Sequence, residues 1–334
     1  MRTLIRSLFG VFLLVSFPAL LHGQSLSKVT VGYSSVSTSF LPLWAASETG
    51  IFKKNGLDVQ VVFFNTGTTA VQALLSGDSP ISHTAGSGIV NSRLGGSDAV
   101  LIVGGTVSLD WWLLSRPEIK TPEQLKGGFV AISSFGSSSD FVARFALRRI
   151  GLEPDKNLTI VQVGSPLNRQ AALETNRVQA TVHVHPSTFI AQKKGFNVLA
   201  DVAALGLAYQ HTGVATTRRF IEQHPDIVRR YVKSQLECVH RLKIDRETGI
   251  RVLAKHMGGI KDREILEKSY DLAVADNMLP RNQYPTLEGI KTILDTLADK
   301  APRAKGAKPE DFVDMRFVRE LEQSGFINNL YGGK

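Results

Sequence analysis

Four short stretches of this 334-residue chain crowd serine and threonine together, three of them around glycine. They are Tyr33-Ser34-Ser35-Val36-Ser37-Thr38-Ser39, Asn65-Thr66-Gly67-Thr68-Thr69, Thr84-Ala85-Gly86-Ser87-Gly88 and Ser133-Ser134-Phe135-Gly136-Ser137-Ser138-Ser139. Each follows an apolar run of strand character and precedes a segment of helical period. A loop of that kind exposes the free N–H groups of a helix's first turn, where the helix dipole is positive. Hydroxyls add groups that both donate and accept, and glycine lets a ligand come close to the backbone. This is the chemistry of holding a polar or anionic group. One such loop reads as ordinary helix capping; four at equivalent strand ends read as a binding surface.

Other residues invite chemistry less directly. Trp111-Trp112 lies on a strand, where alternation lets at most one indole, taken as Trp111, face a cleft and stack on a ligand; core packing is the equal alternative. His183 and His185 share one face of a strand end, but no nearby Asp, Glu or Cys completes a metal set. Arg169 stands before a helix, where it pairs with an anionic group or is simply solvated. No GxSxG elbow, P-loop, HExxH or paired carboxylates in a hydroxyl-rich loop is present, so no catalytic residue, metal or cofactor is expected.

The elements that must position these loops alternate. Strands are expected at Val29–Tyr33, Leu57–Phe64, Ile81–His83, Ala99–Val103, Phe129–Ser133, Leu158–Val163 and Gln179–Val184. Helices are expected between them, at Leu41–Glu48, Thr68–Ser76, Ser87–Leu94, Ser138–Ile150, Leu167–Thr175 and Ser187–Lys194. Alternation of this kind builds α/β units on mostly parallel sheets. The stretch from Gly50 to Thr84 is echoed by Gly151 to His183, which predicts two similar lobes with a cleft between them. From Arg218 onward only helices are expected (Pro225–Arg241, Thr248–His256, Asp262–Asn277, Leu287–Asp299), packed back on the first lobe.

Arg2 and Arg6 followed by the apolar run Leu8–Leu21 and a polar turn form a secretory signal peptide over residues 1–23. The run is shorter than the ~20 residues of a spanning helix. The sole cysteine, Cys238, excludes an internal disulfide, and export without disulfides fits a bacterial periplasm. Removing residues 1–23 lowers the formal charge from +9 to +7 by taking Arg2 and Arg6 and no acid. The remaining basic residues are scattered pairs without aromatic interleaving, which argues against nucleic acid.

The segments Val31-Gly32-Tyr33, Leu41-Pro42-Leu43-Trp44-Ala45-Ala46, Glu48 through Val59, Ala73 through Asp78 and Thr121 through Gly127 together resemble the nitrate/sulfonate/taurine-type solute-binding proteins of ABC transporters. That group includes the branch binding thiamine-pyrimidine precursors, and the resemblance covers residues 28–220 well. It implies a periplasmic-binding-protein fold: two α/β lobes, 24–110 with 216–334 and 111–215, joined by two crossing strands near Thr106–Ser115 and Gly206–Thr216. Carried over position by position, the pocket would use Ser35, Ser37, Thr38, Thr66, Thr68, Thr84, Gly86, Ser137, Ser138 and His185. The resemblance implies a monomer that binds a small organic solute, anionic or aromatic, and delivers it to a membrane permease. The alternative is a cofactor-biosynthesis enzyme on the same fold, similar to the pyrimidine-precursor synthases. Histidines at 183 and 185 depart from the family pattern and leave the solute open.

Overall fold

The computed structural model describes residues 25–205, 207–298 and 301–332. The expected signal peptide and Gly206, the first residue of the second expected crossing, lie outside them.

Ten strands form two five-stranded sheets. In the first half of the chain β1 (Ser27–Tyr33), β2 (Leu57–Phe63), β3 (Ile81–Ala85) and β4 (Ala99–Val103) alternate with α1 (Leu41–Glu48), α2 (Ile51–Lys54), α3 (Gly67–Ser76) and α4 (Gly86–Leu94). The chain then crosses to β5 (Trp111–Ser115), β6 (Phe129–Ile132), β7 (Thr159–Gln162), β8 (Ala180–Val184) and β9 (Asn197–Asp201). Helices α5 (Ser138–Arg149), α6 (Pro166–Glu174) and α7 (Ser187–Lys193) connect them. A second crossing returns the chain as β10 (Thr212–Thr217).

The sheet orders are β2-β1-β3-β10-β4 and β7-β6-β8-β5-β9. Each sheet has four strands running one way and takes the crossing strand, β10 or β5, antiparallel in fourth place. The two halves therefore share one topology, as the echo between Gly50–Thr84 and Gly151–His183 predicts.

The remaining helices are α8 (Arg218–Gln223), α9 (Pro225–Ile244), α10 (Arg246–His256), α11 (Arg263–Ala273), α12 (Leu287–Leu297), α13 (Arg316–Gln323) and α14 (Phe326–Leu330). They rest on the first sheet's side of the molecule: α9 and α10 on α1, and α12 on α4. Tyr231, Val232 and Leu236 of α9 bury themselves with Trp44, Ile81, Val100 and Val214. No helix of the described residues is long and apolar enough to cross a membrane.

Element ends follow the caps. The helix expected at Thr248 starts at Arg246, because the Asp245 carboxylate accepts the Thr248 N–H at 3.0 Å. Asp262, expected inside α11, is its cap and accepts the Ile265 N–H at 3.2 Å. The edge strand β9 was not expected. Its residues are half-buried or exposed, so it lacks the buried apolar run that marks the inner strands.

Candidate functional site

The loops leaving β1 and β2 face those leaving β6 and β7 across a cavity of about 50 Å³. The first half contributes Ser34, Ser35, Ser37, Phe40, Asn65, Gly67 and Ala85. The second contributes Ser133, Ser137, Ser138, Ser139, Pro166, Arg169 and Val184, and the crossings contribute Trp111, His211 and Thr212. This space holds a few solvent molecules or one compact anionic group.

The first turns of α3, α5 and α6 all reach the wall, through Gly67, Ser138 and Pro166. Their caps are conventional. Thr66 accepts the Thr69 N–H at 3.1 Å, Ser137 the Asp140 N–H at 3.4 Å and Ser165 the Asn168 N–H at 3.3 Å. Ser133, Ser137 and Ser139 close a triangle of hydroxyl contacts, each 2.9 Å. Their mutual bonds hold the loop rigid before any ligand arrives.

Arg169 supplies the charge. It lies one turn into α6 and is only 2% exposed. Its guanidinium donates to the carbonyl oxygens of Gly164 (3.0 Å) and Val182 (3.2 Å), while Nε has no partner among the described residues. Burial pulls its pKa down to about 9, and no carboxylate pushes it back. The group therefore stays cationic at neutral pH, a buried charge without a counter-ion. Beside it His183, fully buried, has both ring nitrogens unpartnered among the described residues; burial first, and then Arg169, hold it neutral.

A second polar group occupies the crossings. The Trp111 indole donates to His211 Nε2 at 3.0 Å, and His211 Nδ1 faces Asp110 Oδ1 at 3.6 Å. Because Nε2 is an acceptor, the imidazole is neutral with its proton on Nδ1. Burial agrees, taking His211 down to about 3 and Asp110 up to about 7. The contact is thus a loose alignment and not an ion pair.

Of the residues expected from sequence, Ser35, Ser37, Trp111, Ser137 and Ser138 line the cavity. Thr38 and Thr68 bridge the halves: Thr38 Oγ1 donates to the His185 carbonyl at 3.3 Å, and Thr68 Oγ1 lies 2.8 Å from Ser134 Oγ. Thr66 is the α3 cap, and the buried Thr84 hydroxyl has no partner among the described residues. Gly86 packs against the returning chain, where a side chain would strike the Gln210 carbonyl oxygen. His185 stacks on Phe189 at 4.2 Å and bonds the Thr188 hydroxyl. Trp112 points to the other face of its strand, edge-on to His185 and Phe189. Among the described residues no three His, Cys, Asp or Glu side chains are grouped to hold a metal.

The residues that sequence reading undervalued are Arg169 and His211. A signal for the first exists: Arg169, Ala172 and Leu173 fall on the buried stripe of α6, so a cation occupies a core position of the helical period.

Comparison with known proteins agrees with this geometry. The taurine-binding periplasmic protein of Escherichia coli (strain K12) is 27% identical over 228 residues, 63% of this chain and 65% of that protein. YtlA of Bacillus subtilis (strain 168) is 23% identical over 230 residues, 67% and 69% of the two chains. The alkanesulfonate-binding protein SsuA from Xanthomonas axonopodis pv. citri superposes with a TM-score of 0.70 at 19% identity, covering 85% of this chain and 96% of that one. The nitrate-binding protein NrtA from Synechocystis PCC 6803 gives 0.70 at 14%, covering 90% and 89%. These likenesses carry the periplasmic-binding-protein fold. Residues 37–241 match the family model described as NMT1/THI5 like, and the chain belongs to that family.

Proposed function

We propose that this chain is the periplasmic receptor of an ABC importer, taking a small organic anion between two lobes and handing it to a membrane permease. The observation that carries the anion is Arg169, a buried cation on the cavity wall with an unused Nε and no carboxylate. A ligand oxyanion at that edge would supply the missing counter-charge with a charge-assisted hydrogen bond. The named ligands of three similar proteins, taurine, alkanesulfonate and nitrate, carry such groups.

The lobes of the proposal are 24–110 with 216–334 and 111–215, hinged at the crossings. Buried side chains of both, Leu101 and Ile290 with Leu113 and Val142 among them, belong to one apolar cluster, and polar contacts bridge the facing loops. Besides the Thr38 and Thr68 bridges, Asn91 Nδ2 donates to the Gly136 carbonyl (3.4 Å), and Lys193 Nζ lies 2.7 Å from Asp262 Oδ2. A ligand touching both lobes would add to these contacts and favour the closed form. Ser35 and Ser37 from one side, with Ser137 and Ser138 from the other, would make that double contact, and Trp111 would cover the ligand from the hinge. Capture of this kind needs no cofactor and no second copy of the chain.

An enzyme on the same fold is the alternative. Against it, the lone pair of His211 that could serve as a base is already taken by Trp111. The test is calorimetry and thermal shift on the chain from Gln24 with sulfonates, nitrate, aromatic carboxylates and pyrimidines. A ligand at 100 times its Kd stabilises the folded state by about 2.7 kcal/mol. The expected result is saturable binding of an anion that Arg169→Gln weakens at least a hundredfold, with the ligand recovered unchanged. Binding indifferent to Arg169→Gln would overturn the anion reading, and turnover would bring in the enzyme.

A further inference from the structure

A second cavity, of about 490 Å³, opens between α4, α5 and α12. Its size is that of an organic ligand site, roughly tenfold the space at Arg169. Phe141, Ile293 and Leu297 give it apolar walls. The charges at its edge are paired: Arg144 Nε sits 2.7 Å from Asp140 Oδ1, Arg148 Nε 3.3 Å from Glu153 Oε1, and Asp295 Oδ2 2.6 Å from Lys291 Nζ. The cavity therefore suits an uncharged body.

The two cavities share Ser137. Three buried hydroxyls stand along that shared side: Ser138 on the first cavity, Ser87 on the second, and Tyr209 between them, its hydroxyl within reach of both serines. All are more than nine-tenths buried, and the Tyr209 ring stacks on Phe141 at 4.4 Å. Placed between the two cavities, they offer donors and acceptors to the polar atoms of a ligand that spans both.

We propose that the second cavity receives the organic body of the solute whose anionic head is held at Arg169, and that α12 sets the length accepted. The inference rests on the anion reading above. An inorganic oxyanion would occupy only the smaller space and leave the three hydroxyls and the apolar walls unused. Helix α12 also lies beyond residues 37–241, the stretch matched by the family model. Head recognition then belongs to α6 and the hydroxyl loops, while selection among bodies belongs to α12.

The experiment is calorimetric titration of the chain from Gln24 with sulfate and with unbranched alkanesulfonates from one to eight carbons. Affinity is expected to rise roughly fourfold per added methylene that enters the cavity. In Leu297→Trp, which fills the chamber, the rise with chain length should flatten; Thr296→Trp, at an exposed position on the same wall, supplies the same test should the first variant fold poorly. A series flat in the unaltered chain, with binding still lost in Arg169→Gln, would overturn the second cavity alone. A rise that survives both tryptophans would do the same. Failure of every sulfonate and of sulfate to bind would overturn the head site and the body site together.

Discussion

The two halves of the molecule are built alike and furnished differently. Ser34 and Ser133, Gly67 and Pro166, and Ala85 and Val184 are pairs the same distance apart in the chain, and all six line the cavity. Counted from the caps Thr66 and Ser165, Ala70 in α3 and Arg169 in α6 also occupy one position, and both are buried. The strand registers likewise equate Thr84 with His183, each buried without a partner. A duplicated frame thus gives a symmetric cradle of hydroxyls and helix ends, while charge is placed in one half only. The proposed ligand would have its head fixed by the second half and the first would close over it.

The largest expected effect tests whether the second half alone is built for a cation. Arg169 rests on two carbonyl oxygens, whereas Ala70 is fully buried. Ala70→Arg should destabilise the fold by more than about 4 kcal/mol in urea unfolding. Arg169→Ala, which removes a buried charge but strands two carbonyls, should change it by less than about 2 kcal/mol. Equal tolerance at both positions would erase the distinction.

Acid should separate the halves next. Burial lowers His83 in the first half to about 3, His185 in the second to about 4, and His183 well below its usual value. A histidine depressed in the fold gives stability that is complete above about 6.5 and is lost as pH falls toward its folded value. Each contributes a slope of about 1.4 kcal/mol per pH unit. His211 adds little net slope between about 4 and 6.5, because Asp110 beside it keeps the proton that His211 gives up. With two such histidines against one, β8 should lose hydrogen-exchange protection before β3 as pH falls from 7 to 5. The reverse order would contradict the assignment.

How much of this was legible in sequence differs by element. The hydroxyl loops were readable because serine, threonine and glycine cluster where an apolar run gives way to a helical period, a purely local signal. The start of α10 was misplaced by two residues because the Asp245 cap precedes its first apolar position. Strand β9 and the hydrogen-bonding role of His211 were not readable, since both depend on partners far along the chain. Arg169 was ambiguous, as a long cation can snorkel out to water; only its step to Ala172 and Leu173 shows which way it turns.

Smaller effects refine the picture. Gly86 stands where the second half has His185, and Gly86→Ala would press on the Gln210 backbone. Its cost should be about 1–3 kcal/mol by chemical denaturation with an unchanged m-value. A neutral result would mean that the returning strand yields at that point. Least of all, Lys193→Ala removes an exposed pair with Asp262 and Glu264. It should weaken ligand affinity slightly at low salt and not at all near 1 M, where screening acts within about 3 Å.

One amide has a consequence for the order of assembly. Gln210 donates to the carbonyls of Gly104 and Thr212 and accepts the Thr286 N–H at 2.7 Å. A single side chain thereby fastens both crossings to the stretch that leads into α12. The joint is completed from three places far apart in the chain, the last of them nearly at its end. While the polypeptide is being made it can form both sheets, but it has no finished joint between them until residue 286 has emerged. The C-terminal third is therefore the keystone, set last, that fixes the two sheets to one another.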